Sequence, residues 1–171
     1  DANNHLHNTI IDGFGRPTYV RRYTGNSWSN YTIYDTTVTT YTYTGQVASV
    51  QQPANGTTTY TYDSAGRLTA SSDPDLGNYT YGYDANGNLT SVADPRGAAG
   101  TIYRGYDGQN RLIWQSTHSD GSSPLAAYTY DAGTNGAGHL TGETFASGPN
   151  QAVTGSYAYA YDALGHLTNW T

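Results

Sequence analysis

The sequence contains no cysteine, no methionine and no lysine. Without cysteine there is neither a disulfide framework nor a thiolate metal site. With no lysine, and seven scattered arginines against thirteen acidic residues, no face can gather the cations that a phosphate backbone requires, so nucleic acid is excluded as a partner. Charged residues make up only 12% of the 171 positions, yet no apolar run approaches the roughly 18 residues of a membrane-spanning helix. The opening Asp1-Ala2-Asn3-Asn4 has neither the basic nor the apolar region of a signal peptide.

Tyrosine is what the chain has in abundance. Eighteen Tyr, three Trp and two Phe supply apolar surface that a disordered chain would lack. Tyr and Thr together suit a pleated, half-buried strand. No window carries a 3.6-residue period, and 21 glycines interrupt any helix.

Self-comparison reveals the repeat Tyr-x-Tyr-Asp-x-x-Gly-x-Leu-Thr. Clear units lie near 60–69 (Tyr60, Tyr62, Asp63, Gly66, Leu68), 81–90 (Tyr81, Tyr83, Asp84, Gly87, Leu89) and 157–168 (Tyr159, Tyr161, Asp162, Gly165, Leu167). A unit near 103–113 (Tyr106, Asp107, Leu112) puts Asn110 where Gly stood, and Asn is the next residue most tolerant of positive φ. Another near 128–141 (Tyr128, Tyr130, Asp131, Leu140) contains a Gly-rich insertion. Degraded units lie near 10–18, which keeps the turn without tyrosines, and near 41–50, where Tyr41 and Tyr43 remain but the Asp is gone and the turn reads as shortened.

Tyrosines two apart point to one face of a strand. The Asp is expected to accept hydrogen bonds from amides two or three residues on, and the Gly to take the left-handed conformation that closes a hairpin. Leu-Thr then begins the return strand. Since a lone hairpin is marginal in water, neighbouring units must cover one another's tyrosines and leucines. The expected fold is all-β: tandem hairpins in a continuous twisted, solenoid-like sheet or part of a spiral β-shell, as one array over 1–171.

These residues resemble the YD repeat of the bacterial Rhs family, named for its Tyr-Asp pair. Similar repeats occur in the C component of insecticidal toxin complexes, in wall-associated proteins and in teneurins. The resemblance spans roughly residues 8–171, and Val92-Ala93-Asp94-Pro95-Arg96-Gly97 is similar to the family's inter-repeat segment. It implies a hollow shell that encloses a C-terminal toxic domain, or the β-shell of a cell-surface adhesion receptor. It also implies a bacterial protein that is secreted or displayed at the surface. A shell needs more repeats than are present, and the last unit runs straight into Thr168-Asn169-Trp170-Thr171, so a segment of a longer chain is expected.

Other features weigh toward structure rather than chemistry. One Asp per unit (Asp12, Asp63, Asp84, Asp107, Asp131, Asp162) reads as turn capping, since a catalytic pair would be a single constellation. Asp94-Pro95-Arg96-Gly97 superficially resembles the segment at which family shells are self-cleaved, but it sits between ordinary repeats. His5 and His7 share a strand face without a third ligand nearby. His139 and His166 occupy the slot of Arg67 and Arg111, which suggests a general polar or cationic position. The serines lack a nucleophile-elbow context. Trp28, Trp114 and Trp170, outside the repeating positions, could stack on sugar rings or simply pack between strands. We therefore expect no enzyme, cofactor or metal, and a structural scaffold, most readily a shell that encloses or presents a toxin or effector domain of the same longer chain. The alternatives are a surface adhesion module for glycan or protein, and a fibre that self-associates through open edge strands.

Overall fold

Wherever the motif occurs a hairpin should form, because Asp and Gly bend the chain while Tyr and Thr favour extended backbone. The computed structural model of the chain describes residues 6–25, 29–147 and 152–171. The strands are β1 (His7–Ile11), β2 (Pro17–Thr24), β3 (Thr32–Tyr41), β4 (Val47–Gln52), β5 (Gly56–Tyr62), β6 (Leu68–Asp73) and β7 (Gly77–Tyr83). They continue as β8 (Leu89–Ala93), β9 (Thr101–Tyr106), β10 (Leu112–Ser116), β11 (Ala126–Tyr130), β12 (Leu140–Ser147), β13 (Ala152–Tyr161) and β14 (Leu167–Trp170). A short 3-10 turn, Gly97–Gly100, precedes β9. Strand order is chain order and the pairings are antiparallel, so the chain is an all-β series of tandem hairpins. It divides into two compact units, Asp1–Thr80 and Tyr81–Thr171, with the boundary inside β7.

In the first unit β5 shows how the alternation works. Thr57, Thr59 and Thr61 are exposed, while Thr58, Tyr60 and Tyr62 are half-buried. Tyr60 lies opposite Ser71 and Tyr62 opposite Leu68, so both tyrosines and the leucine share one face. Tyr79 lies opposite Ser71 and joins them. Arg22 and Asp35, directly opposite on β2 and β3, form an ion pair at 2.6 Å.

In the second unit Tyr128 lies opposite Glu143, which lies opposite Tyr157, and Tyr159 lies opposite Trp170. The segment after β10 is anchored by Ser116, whose hydroxyl donates to the Ser122 carbonyl and accepts from the His118 amide. Among the described residues no hydrophobic side chain is fully buried; Thr101, Ser116 and Thr141 are the buried polar ones. Stability rests on many half-covered rings rather than a closed core. Half-covering a side chain of about 200 Å² at ~25 cal/mol/Å² contributes about 2–3 kcal/mol per ring, set against the entropy of ordering it.

The turns share one geometry. In the 63–67 turn the Gly66 amide donates to the Asp63 carbonyl (3.0 Å) and the Asp63 amide donates to the Arg67 carbonyl (3.0 Å). The same two bonds close 12–16, 42–46, 84–88, 107–111 and 162–166. A register shift follows in the strands, the signature of a type I turn with a bulge at a left-handed residue. Gly66 has φ +82° and Asn110 φ +64°, so Asn110 does substitute for glycine as its tolerance of positive φ suggests.

The unit near 41–50 corrects the sequence-based expectation. Its turn is not shortened: Thr42 stands in the Asp position and Gly45, at φ +95°, in the Gly position. The Gln46 amide donates to the Thr42 hydroxyl (3.1 Å) as the Arg67 amide does to Asp63. Tyr41 is therefore the motif tyrosine, and Tyr43 sits at the turn tip, 102% exposed. A Thr hydroxyl can cap the turn as a carboxylate does, and that equivalence hid the alignment.

Gly15 tests the turn chemistry cleanly, since it has φ +78° and nothing within 4 Å of where a Cβ would stand. Gly15→Ala is expected to lose about 1–2 kcal/mol from the left-handed conformation alone, and Gly15→Asn less. Urea unfolding of the two variants measures the difference.

Candidate functional site

With no concave active site predicted, the arrangement to examine is the junction between successive hairpins. It starts from the carboxylate. Asp63 Oδ1 accepts from the amides of Ala65 (2.9 Å) and Arg67 (2.9 Å), two and four residues on, rather than two and three. The amide three residues on is engaged by the Asp backbone carbonyl instead. Oδ2 is left for the residue between Gly and Leu: Arg67 Nε reaches it at 2.7 Å, Arg16 reaches Asp12 at 2.8 Å and Arg111 reaches Asp107 at 2.7 Å. Asn88 does the same to Asp84 (2.9 Å), and His166 Nδ1 lies 3.0 Å from Asp162. The polar slot is thus a partner for the turn carboxylate.

All these carboxyls titrate below the ordinary range. The Arg16 side chain lowers Asp12, the Arg67 amide lowers Asp63, the Asn88 side chain lowers Asp84, and the Arg111 amide lowers Asp107. The His166 amide lowers Asp162. Asp131 falls furthest, to about 2, chiefly through the Arg111 side chain and then the Gly138 amide. Such groups are fixed anions used in turns, the opposite of a proton donor tuned upward.

The second element is the tyrosine before the Asp. The Tyr41 hydroxyl donates to the Pro17 carbonyl (2.8 Å) and Tyr62 to Val47 (2.9 Å) in the first unit. In the second, Tyr106 donates to Leu89 (2.9 Å), Tyr130 to Leu112 (2.9 Å) and Tyr161 to Leu140 (2.7 Å). Each acceptor is the first residue of the preceding hairpin's return strand. The hydroxyl takes over where the backbone ladder stops, since β4–β5 pairing reaches only Ser49 with Thr59. Burial raises the Tyr62 and Tyr130 phenols, keeping them protonated donors.

The third element covers the ring. Arg16 Cζ lies 4.3 Å from the Tyr41 ring centre, Arg111 Cζ 4.3 Å from Tyr130, and His139 stacks on Tyr161 at 4.3 Å. The slot residue of one hairpin therefore binds its own Asp or lies over the next tyrosine, and Arg16 and Arg111 do both. Arg111 also bridges to Asp131 at 2.6 Å, tying two turns together. The insertion after Asp131 preserves closure, because the Asp131 amide still donates to the His139 carbonyl (3.1 Å) and Gly138 donates to the carboxylate (2.7 Å).

The junction register is constant. The residue three after the return strand's first position always faces the residue four before the motif tyrosine. The pairs are Val20 with Thr37, Val50 with Thr58, Ser71 with Tyr79, Val92 with Ile102, Gln115 with Ala126, and Glu143 with Tyr157. Sequence reasoning treated the tyrosines as packing residues and missed the hydroxyl; it recognised the polar or cationic slot but not the carboxylate and ring that the slot residue engages. The available signal was chemical: a chain with eighteen Tyr and two Phe never uses Phe before the Asp.

The motif positions Tyr60, Tyr81, Tyr83, Tyr128 and Tyr159 lie on strands, with the Tyr159 hydroxyl donating to Glu143 (2.9 Å). Trp28 and His5 lie outside the described residues. Trp114 packs its indole against Gly105 and Gly121, where an added Cβ would meet the ring at 2.1 and 2.7 Å. Trp170 is 63% exposed, 5.8 Å from the Tyr157 ring. His7 is on β1, and among the described residues no three acidic or histidine side chains cluster as a metal site. Asp94 is engaged in its own turn, accepting from the Arg96 amide (2.9 Å) and side chain (2.5 Å).

Hairpins joined by one invariant junction define a β-hairpin repeat protein. Three overlapping stretches, residues 41–76, 67–99 and 83–123, match the RHS Repeat family. Residues 41–123 thus carry YD, or Rhs, repeats. It shares its fold with the solved TcdB2-TccC3-Cdc42 structure (TM-score 0.60, 20% identity, 92% of this chain and 8% of that one). The TcdB2-TccC3 structure is similar at TM-score 0.60 and 20% identity, over 92% of this chain and 9% of that one. The Photorhabdus luminescens Tc holotoxin pore with the TccC3-D651A mutation matches at TM-score 0.52 and 17% identity, over 96% of this chain and 10% of that one. This chain thus spans a tenth or less of each of these three chains. No curated protein matches the sequence.

Removing one junction hydroxyl, as in Tyr62→Phe or Tyr130→Phe, is expected to cost about 1 kcal/mol by leaving a carbonyl unpaired while the ring stays. Urea denaturation measures it. Acid should weaken the array: the Asp131 carboxyl falls from 3.8 to about 2, so its contribution is fully present above about pH 4 and is lost as pH drops through about 2. Thermal melts between those limits should show a shallower decline for Asp131→Asn.

Proposed function

We propose that this segment forms part of the wall of a toxin-complex type shell, within a longer secreted or surface-displayed bacterial protein, and that the wall encloses or presents an effector domain. One observation carries the proposal: a single junction geometry recurs six times with constant register, so each hairpin offers the next the same edge. An array of this kind extends by addition, which suits a wall. The half-buried tyrosine face supports the same role, since a sheet without a closed core suits a layer within something larger. Likeness of fold to TccC3-containing structures supports the toxin-complex setting. The turn carboxylates are held as fixed anions, which fits a mechanical role.

The test uses the full-length protein. A folded effector domain at its C-terminus should resist protease while the wall is intact, and become cleavable when residues 41–123 are deleted. Equal cleavage of both proteins would overturn the enclosing role.

A further inference from the structure

The turns that link one hairpin to the next lie at the opposite end of the strands from the Asp-Gly turns. In the first unit they border a groove that the junctions do not use. Its first part is a cavity of about 360 Å³ between Arg22, Tyr34 and Asp35, on β2 and β3, and the 52–55 turn that follows β4. A second cavity of about 270 Å³ shares Gln52 and Asn55 as lining and runs to Asp75 and Leu76. The two turns touch, since a Cβ at Gly56 would stand 3.0 Å from Pro74 Cγ.

Several polar groups along this groove have no partner. Asp35 Oδ2 accepts from Arg22 Nη1 at 2.6 Å, but Oδ1 is buried without a hydrogen bond. An acceptor in that state costs about 1–3 kcal/mol, which a donated hydroxyl removes. The Gln52 and Asn55 side chains are exposed and make no hydrogen bond among the described residues. Asp73 beside them is the contrast: its Oδ1 accepts the Asp75 and Leu76 amides and its Oδ2 the Thr58 hydroxyl, so it is committed to its own turn. Tyr34 lines the first cavity and is 57% exposed.

We propose that this groove binds a neutral saccharide. An amide side chain both donates and accepts, as a sugar hydroxyl does, and two such side chains stand side by side here. One hydroxyl donates to Asp35, its neighbours meet Gln52 and Asn55, and the sugar ring lies on Tyr34. The charges set the class of ligand. Arg22 is answered by Asp35, which leaves no free cation to hold an acidic sugar, and Asp75 repels one. The apolar surface is one ring and one leucine, too little to anchor a protein partner. The proposal uses first-unit residues outside the junctions and does not depend on the shell.

The probes are cellotriose, maltotriose and chitotriose, each titrated into the isotope-labelled chain while the side-chain amide resonances of Gln52 and Asn55 are followed. At least one trisaccharide is expected to shift both resonances. Asn55→Ala should weaken that binding about two- to tenfold, the worth of one hydrogen bond. Tyr34→Ala should weaken it as well, whereas Tyr43→Ala, which removes an equally exposed ring at a motif turn, should leave it unchanged. No shift at tens of millimolar of any of the three would overturn the proposal. Shifts confined to other residues, or full affinity in Asn55→Ala, would also do so. Tighter binding of trigalacturonate than of the neutral sugars would overturn the assignment of a neutral ligand.

Discussion

The structure depends on a hydroxyl. Five tyrosines at the start of a turn, Tyr41, Tyr62, Tyr106, Tyr130 and Tyr161, reach across to the first carbonyl of the preceding return strand, at a point where the bulged turn has pulled the two backbones out of ladder register. A phenylalanine would cover similar area but leave that carbonyl unpaired in a half-buried setting, which is costly relative to the small net value of most hydrogen bonds. Hence the tyrosine cannot be understood within its own hairpin. Its hydroxyl, its ring contact and its register are all defined by the hairpin before it.

That dependence explains why the array can do without a closed core. Among the described residues hydrophobic side chains are at best half-buried, so no hairpin holds together by enclosing apolar volume. Stability instead accrues laterally, from turn to turn and ring to slot. Arg111 shows the economy of the arrangement: one guanidinium engages Asp107, Asp131 and the Tyr130 ring at once. The Asp of each turn has a comparable double role, capping amides through one oxygen and orienting the slot residue through the other.

Much of this was legible in the chain. The spacing of Asp and Gly announced the turns, and the alternation of Tyr with Thr announced the two faces of β5, because both follow from local backbone geometry. Asn110 in the glycine position was readable for the same reason. Other features were not. Thr42 stands in for Asp through its hydroxyl, which a motif written in residue names conceals, and so Tyr43 was aligned where Tyr41 belongs. For Trp114 the sequence left both sugar stacking and packing between strands open; its indole lies against two glycines that sequence alone does not bring together.

The amino-acid sequence by itself determined where the chain turns, which residues alternate between the two faces, and that the array repeats. These depend on interactions within a few residues. The tertiary structure alone decided what the tyrosine hydroxyl bonds, what the slot residue covers, and which carbonyl each return strand offers its successor. Those depend on partners that lie 15 to 25 residues away in the sequence, as with Tyr62 and Val47 or Arg16 and Tyr41. Only strand register brings such partners into contact, and register belongs to the assembled sheet.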